Sequence, residues 1–114
     1  MRTVNIERTE QPRGLRLGGE IDLSNTDQLT AALDPEVAQG GDVTLDVSAL
    51  EFIDSSGMRV LIRALIDLED RGRLVLVRPR EPLRRLIAVM GLERFGNLQI
   101  QPGEDEPEGT NRAG

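Results

Sequence analysis

Four consecutive residues, Asp54-Ser55-Ser56-Gly57, set two hydroxyls between a carboxylate and a glycine, where an apolar strand pattern turns into a helical one. Hydroxyls at such a junction can cap a helix, attack a substrate or receive a phosphoryl group. A second polar stretch, Gly18-Gly19-Glu20-Ile21-Asp22-Leu23-Ser24-Asn25, occupies a similar junction upstream. Few other side chains are on hand to assist either one. The 114 residues include no cysteine, histidine, tyrosine or tryptophan, and all 14 cations are arginines. Disulfides, thiolate sites, a Ser-His-Asp triad, a Ser-Lys pair, a histidine zinc site and a Schiff base are thereby excluded. Only carboxylates remain for proton transfer near neutral pH, so the composition predicts a non-enzyme that needs no cofactor and no metal. Glu20, Asp22, Asp46 and Asp54 could in principle gather around Mg²⁺. Asp46 alternates with apolar neighbours and should face polar groups or solvent, which favours partner contact over a metal for this set.

The formal charge is −6 and the isoelectric point about 4.7. Nucleic acid and anionic lipid surfaces prefer basic partners, so neither is expected as a ligand. No apolar run approaches the roughly 20 residues that span a bilayer, and the N-terminus lacks a signal-peptide core. Membrane insertion is not expected, and the predicted location is the cytoplasm.

The elements around these junctions follow from periodicity. Val4 and Ile6 alternate in a first strand, and Leu15 and Leu17 in a second, with Pro12 and Gly14 between them, which predicts an antiparallel hairpin. Val43, Leu45 and Val47 share one face of a third strand. Residues 74–77, Leu-Val-Leu-Val, are continuously apolar, as expected for a strand covered on both faces. A short strand is expected at 97–100. The first helix should begin after Ser24 or Asn25 with a stripe of Leu29, Leu33 and Val37, and Pro35 should break or restart it, with Asp34 as a second cap. The second carries Met58, Leu61, Ile62, Leu65 and Leu68 against the core, opposite Arg59, Arg63, Asp67 and Asp70. The third runs from Glu81-Pro82 through Leu83, Leu86, Ile87 and Met90 to Gly91.

This order predicts one α/β domain over residues 1–100, with a mixed β-sheet flanked by α-helices. Functional groups of such sheets collect where strands end and helices begin. If the preceding strands are neighbours, the two polar junctions open at the same end. A helix starting near Ser56 leaves free N–H groups and a dipole that favours negative charge. Capping by Asp54 or Ser55 and phosphate acceptance by a serine both suit this setting, and Gly57 would let another backbone approach closely. Residues 101–114 hold four acids against one arginine and almost nothing apolar. They predict a disordered, solubilising acidic tail. Arg78, Arg80, Arg84 and Arg85 read as a solvated helix face.

Taken together, residues 17–33, 43–65 and 74–95 resemble the STAS domain of anti-sigma factor antagonists, over about residues 3–100. The resemblance implies a single STAS-like domain that binds a serine-kinase anti-sigma factor when unmodified and so releases a sigma factor. It implies phosphorylation at the first serine of D-S-S-G, Ser55, which switches that binding off. ATP and Mg²⁺ would belong to the kinase, and a separate serine phosphatase would reset Ser55. Partner contact is expected from Glu20, Asp22, Ser24 and Asn25 in one loop and from Asp54, Ser55, Ser56, Gly57, Met58 and Arg59 in the other. The chain departs from the family pattern after D-S-S-G, where Met58-Arg59 replaces a leucine and a small residue. A monomer is expected, at most a weak dimer. Two rivals stand beside this reading. A phosphoaspartyl receiver domain would need a lysine, which the chain lacks. STAS domains also serve as docking subunits of transporters or larger signalling assemblies, without a phosphorylation switch.

Overall fold

Alternating apolar residues put two strands back to back and the rest in parallel. The structure, a computed structural model, describes residues 2–102. β1 (Val4–Glu10) and β2 (Arg13–Ile21) form the expected antiparallel hairpin. They are followed by α1 (Thr26–Gln39), β3 (Val43–Ile53), α2 (Ser55–Leu68), β4 (Leu74–Val77), α3 (Glu81–Val89), a 3-10 turn at Leu92–Arg94 and β5 (Leu98–Gln101). The strands lie in the order β1-β2-β3-β4-β5, and every pair after the hairpin is parallel. This is the mixed-sheet α/β domain that the pattern predicts. Gln101, assigned to the tail on sequence, pairs with Val77, and the tail expectation for 103–114 lies outside the described residues.

One buried cluster joins Leu15, Leu17, Leu45, Val47, Leu74 and Leu76 of the sheet to Leu29, Leu65 and Leu83 of the three helices. The helices therefore cover one face. The alternate residues of the strands form the other face, where Arg16 lies 2.9 Å from Glu7 and 3.7 Å from Asp46, and Arg78 lies 3.9 Å from Asp46. The helix cover on both faces that the sequence of β4 signals is thus not what the structure has: only Leu74 and Leu76 join the cluster under the helices. Val75 is buried outside the main cluster, on a face shared with its register partners Thr44 and Gln99, and Val77 is half-buried.

Two irregularities in β3 decide where its end falls. Pairing with β2 slips between Arg16 and Gly18 and again between Gly19 and Glu20, and each slip puts an extra residue on β3. The buried positions accordingly run Val43, Leu45, Val47, then Leu50, then Ile53. Each bulge shifts the two-residue period by one and keeps the next apolar side chain on the core face. Gly19 has φ 87°, and a Cβ there would stand 2.3 Å from the Thr3 carbonyl oxygen, so only glycine suits this strand position. The outcome is that Ile21 and Ile53 lie side by side as β2 and β3 end.

Pro35 does not break α1, contrary to the sequence expectation, and Asp34 caps nothing. A proline in a helix removes one hydrogen bond and costs about 3 kcal/mol. Tertiary contacts beyond it offset that cost. Val37 is buried, and Glu36, 2% exposed, accepts from Arg13 Nη1 at 2.7 Å and Arg8 Nε at 3.0 Å. Arg13 also donates to the Glu36 and Gly40 carbonyls, tying the last turns of α1 to the hairpin. Burial pushes the Glu36 carboxyl up, but the two arginines outweigh it and hold it below its ordinary value. Removing one member of a buried charge pair costs about 3–5 kcal/mol. Both arginines keep some contact with water, so Glu36→Gln should cost less, about 2 kcal/mol, read as a lower urea midpoint with an unchanged m-value.

Candidate functional site

Because β2 and β3 are parallel neighbours, the loops that leave them open at the same end of the sheet. The Asp54 N–H donates to the Ile21 carbonyl at 3.2 Å, which joins the two loops directly.

Asp54 is the N-cap of α2. Its Oδ1 accepts from the Ser56 N–H at 3.0 Å, the Gly57 N–H at 3.1 Å and the Ser56 hydroxyl at 2.5 Å. One carboxylate thus satisfies two of the donors that every helix start leaves open, and it also occupies one of the two hydroxyls. Ser55 is exposed and its hydroxyl makes no hydrogen bond among the described residues. The two adjacent serines are therefore chemically unlike: Ser56 is tied down, and Ser55 is available. Burial pushes the Asp54 carboxyl up, while the Ser56 hydroxyl and the Gly57 and Ser56 amides outweigh it and leave it below its ordinary value.

The upstream loop is built in the same way. Asp22 Oδ1 accepts from the Ser24 N–H at 2.9 Å and the Ser24 hydroxyl at 2.6 Å. Neither Ser24 nor Asn25 caps α1 through its side chain, as the sequence had suggested. Asn25 is 2% exposed and spends its amide on the loop instead. It accepts from the Asp22 N–H and donates to the Glu20 carbonyl, each at 3.0 Å. A buried side-chain amide must satisfy both ends, and the loop backbone offered partners that the helix start did not.

Residues 4–101 match the family described as Mlab, STAS domain. The chain belongs to the STAS-domain family. Two solved structures share the fold over almost the whole of this STAS domain. An anti-sigma factor antagonist from Mycobacterium paratuberculosis is 25% identical, with a TM-score of 0.72 over 98% of this chain and 95% of that one. The anti-sigma factor antagonist SpoIIAA in its unphosphorylated form is 22% identical, with a TM-score of 0.66 over 99% of this chain and 96% of that one. At that lower identity the likeness is one of fold alone. No curated protein matches the sequence.

The ten residues expected at the partner surface of this STAS domain divide by burial. Ser24, Ser55 and Arg59 are exposed, and Glu20, Asp22, Asp54 and Ser56 are half-buried. Asn25, Gly57 and Met58 face inward, Met58 with no exposure at all. Gly57 has a packing duty that its sequence context did not reveal. A Cβ there would sit 2.7 Å from Ile53 Cγ1 and 2.8 Å from Ile21 Cγ2, so glycine is what lets α2 seat on the two strand ends. Asp46, the fourth carboxylate of the metal reading, lies eight residues before Asp54, beside Arg16 and Arg78, and the described residues hold no cluster of three acids suited to a metal.

Three further residues stand beside these loops and escaped sequence reasoning. Leu23 stands 77% exposed at the tip of the upstream loop. Arg2 packs its guanidinium 4.0 Å from the centroid of the Phe52 ring and 3.5 Å from Asp22. An apolar tip beside a stacked Arg-Phe pair carries no local periodicity, and only the register Glu20↔Phe52 brings its parts together.

Asp54→Ala should lower stability by about 1 kcal/mol at neutral pH. The folded carboxyl titrates lower than the unfolded one, so this contribution is whole above the unfolded value of about 3.9 and fades as pH falls through the folded value. Urea titrations of both proteins from pH 7 down to pH 2 should show the gap closing only at the acid end.

Proposed function

We propose that this STAS domain is a phosphorylation-switched antagonist of an anti-sigma factor, a binding module rather than an enzyme. The observation that carries the reading is the difference between the serines: Ser55 presents a free hydroxyl to solvent at the end of the sheet where the 22–25 loop also opens. The resemblance to anti-sigma factor antagonists in sequence, and the likeness in structure to the one from Mycobacterium paratuberculosis, support the same role.

In this reading, the unmodified surface, with Leu23, Ser24 and Ser55 outermost, docks on a serine-kinase anti-sigma factor and frees its sigma factor. The partner binds ATP and Mg²⁺. The Ser55 oxygen attacks the γ-phosphorus, the bond to the β-phosphate breaks, ADP leaves, and the hydroxyl proton passes to a base on the kinase. The product carries a phosphate of about −1.5 to −2 charges beside Asp22 and Asp54. Like charges forced together across an interface cost several kcal/mol, and about 3–4 kcal/mol weakens binding by two to three decades. The fold should survive, because the side chain that caps α2 is Asp54 and not Ser55. A separate serine phosphatase restores the bare form, since no residue here can hydrolyse a phosphoserine unaided.

Incubation with a cognate kinase, ATP and Mg²⁺ should add one phosphate to the wild-type chain and none to Ser55→Ala, as measured by intact mass. Ser55→Ala should keep its partner affinity and Ser55→Asp should lose it. Phosphate found on Ser56 alone would overturn the assignment, and co-purification with a membrane complex in the absence of phosphate would favour a docking subunit instead. Leu23→Ala probes the surface with little structural cost, because the side chain is already in water. It should leave the urea midpoint unchanged and weaken kinase binding about tenfold, the loss of roughly 1.4 kcal/mol expected of an apolar anchor.

A further inference from the structure

Arg59 is a cation on the same helix as Ser55, and among the described residues it has no partner of its own. It lies on α2 four residues after Ser55, exposed, and forms no hydrogen bond or ion pair among the described residues. Its neighbours along the helix are engaged elsewhere. Arg63 lies 3.7 Å from Asp67, and Arg71, past the end of the helix, donates to the Asp67 carbonyl at 2.8 Å. Arg59 and these residues line a groove between α1 and α2, and Asp34 is the acid across it.

Helix geometry directs Arg59 towards Ser55. Side chains four apart lie on one face, and each Cα–Cβ bond tilts towards the helix N-terminus, so an arginine at 59 can reach back over the first turn. Arg63, the next residue on that face, repels it from the other side. An anion at one position with a cation four residues later is the favourable order for such a pair. Arginine also matches phosphate oxygens with two parallel N–H donors.

We propose that Arg59 is the intramolecular receptor for a phosphate on Ser55, clasping it against the first turn of α2. The proposal rests on the reading of Ser55 as the phosphoacceptor and adds the regulation of that site: the modified form carries a phosphate partly neutralised by its own domain. No bond other than the phosphoserine ester is involved, since the clasp is an ion pair. It forms only after modification, so Arg59 stands unpaired in the bare protein.

The test installs phosphoserine at position 55 of the full chain by genetic incorporation, without a kinase, so that it stands or falls separately from the kinase reaction. The second phosphate ionisation, near pH 6 in the free group, is followed by ³¹P NMR. Glu20, Asp22, Asp54 and Asp34 raise its midpoint and Arg2 and Arg63 lower it in every variant, and the comparison isolates Arg59. The midpoint should rise by roughly 0.3 pH unit in Arg59→Gln, the size expected for a surface pair of this spacing. Arg59→Lys should recover part of the shift, and Arg63→Gln, two turns away, should move it less than Arg59→Gln does. Equal midpoints in the wild-type and Arg59→Gln chains would overturn the proposal. So would equal shifts from Arg59→Gln and Arg63→Gln, which would mark a general field rather than a clasp.

Discussion

The arrangement of the site depends on a single carboxylate oxygen. Asp54 Oδ1 gathers two helix amides and the Ser56 hydroxyl, and by doing so it fixes where α2 begins and how its first turn faces. If the helix started one residue later, Ser55 would become the cap and Ser56 the exposed hydroxyl. The cap in turn relies on the strand before it. Asp54 reaches its place because two bulges in β3 keep Leu50 and Ile53 in the core and bring Ile53 beside Ile21. Chemistry at the helix start is thus set by register several residues back in β3.

Much of this was legible in the chain. The alternations at Val4/Ile6, Leu15/Leu17 and Val43/Leu45/Val47 are local signals of burial on one face, and the structure follows them. The apolar stripe of α2 needed only the helical period, and its start was marked by the Asp-Ser-Ser-Gly run. That both polar loops meet was conditional on β2 and β3 being neighbours, which a hairpin followed by a crossover made natural.

What escaped the sequence shares one cause, which is that a distant residue overrides a local rule. Pro35 breaks helices in isolation, but Arg8 and Arg13 reach across from the hairpin to Glu36 and hold the helix together past it. Asn25 is a good cap by type, but the Glu20 carbonyl and Asp22 amide lay closer to hand. Gly57 suggested room for a visitor, whereas Ile21 and Ile53 fill the space that a side chain would need. Leu23 and Arg2 have meaning only through Phe52 and Asp22, which no spacing rule connects to them. β4 showed a limit of pattern alone: four apolar residues in a row look like a strand enclosed by helices, and Val75 achieves burial with polar neighbours in the same sheet.

The uncovered side of the sheet has a consequence for the company the domain keeps. Two sheets stack by interleaving apolar side chains over a layer about 10 Å deep. Here that side presents Glu7, Arg16, Asp46 and Arg78 in mutual contact, and stacking would strip water from all four at once. Copies that collide through this side gain nothing by staying together. Contact made there would carry that cost, whereas the exposed Leu23 at the loop end brings no charge that must first be dehydrated.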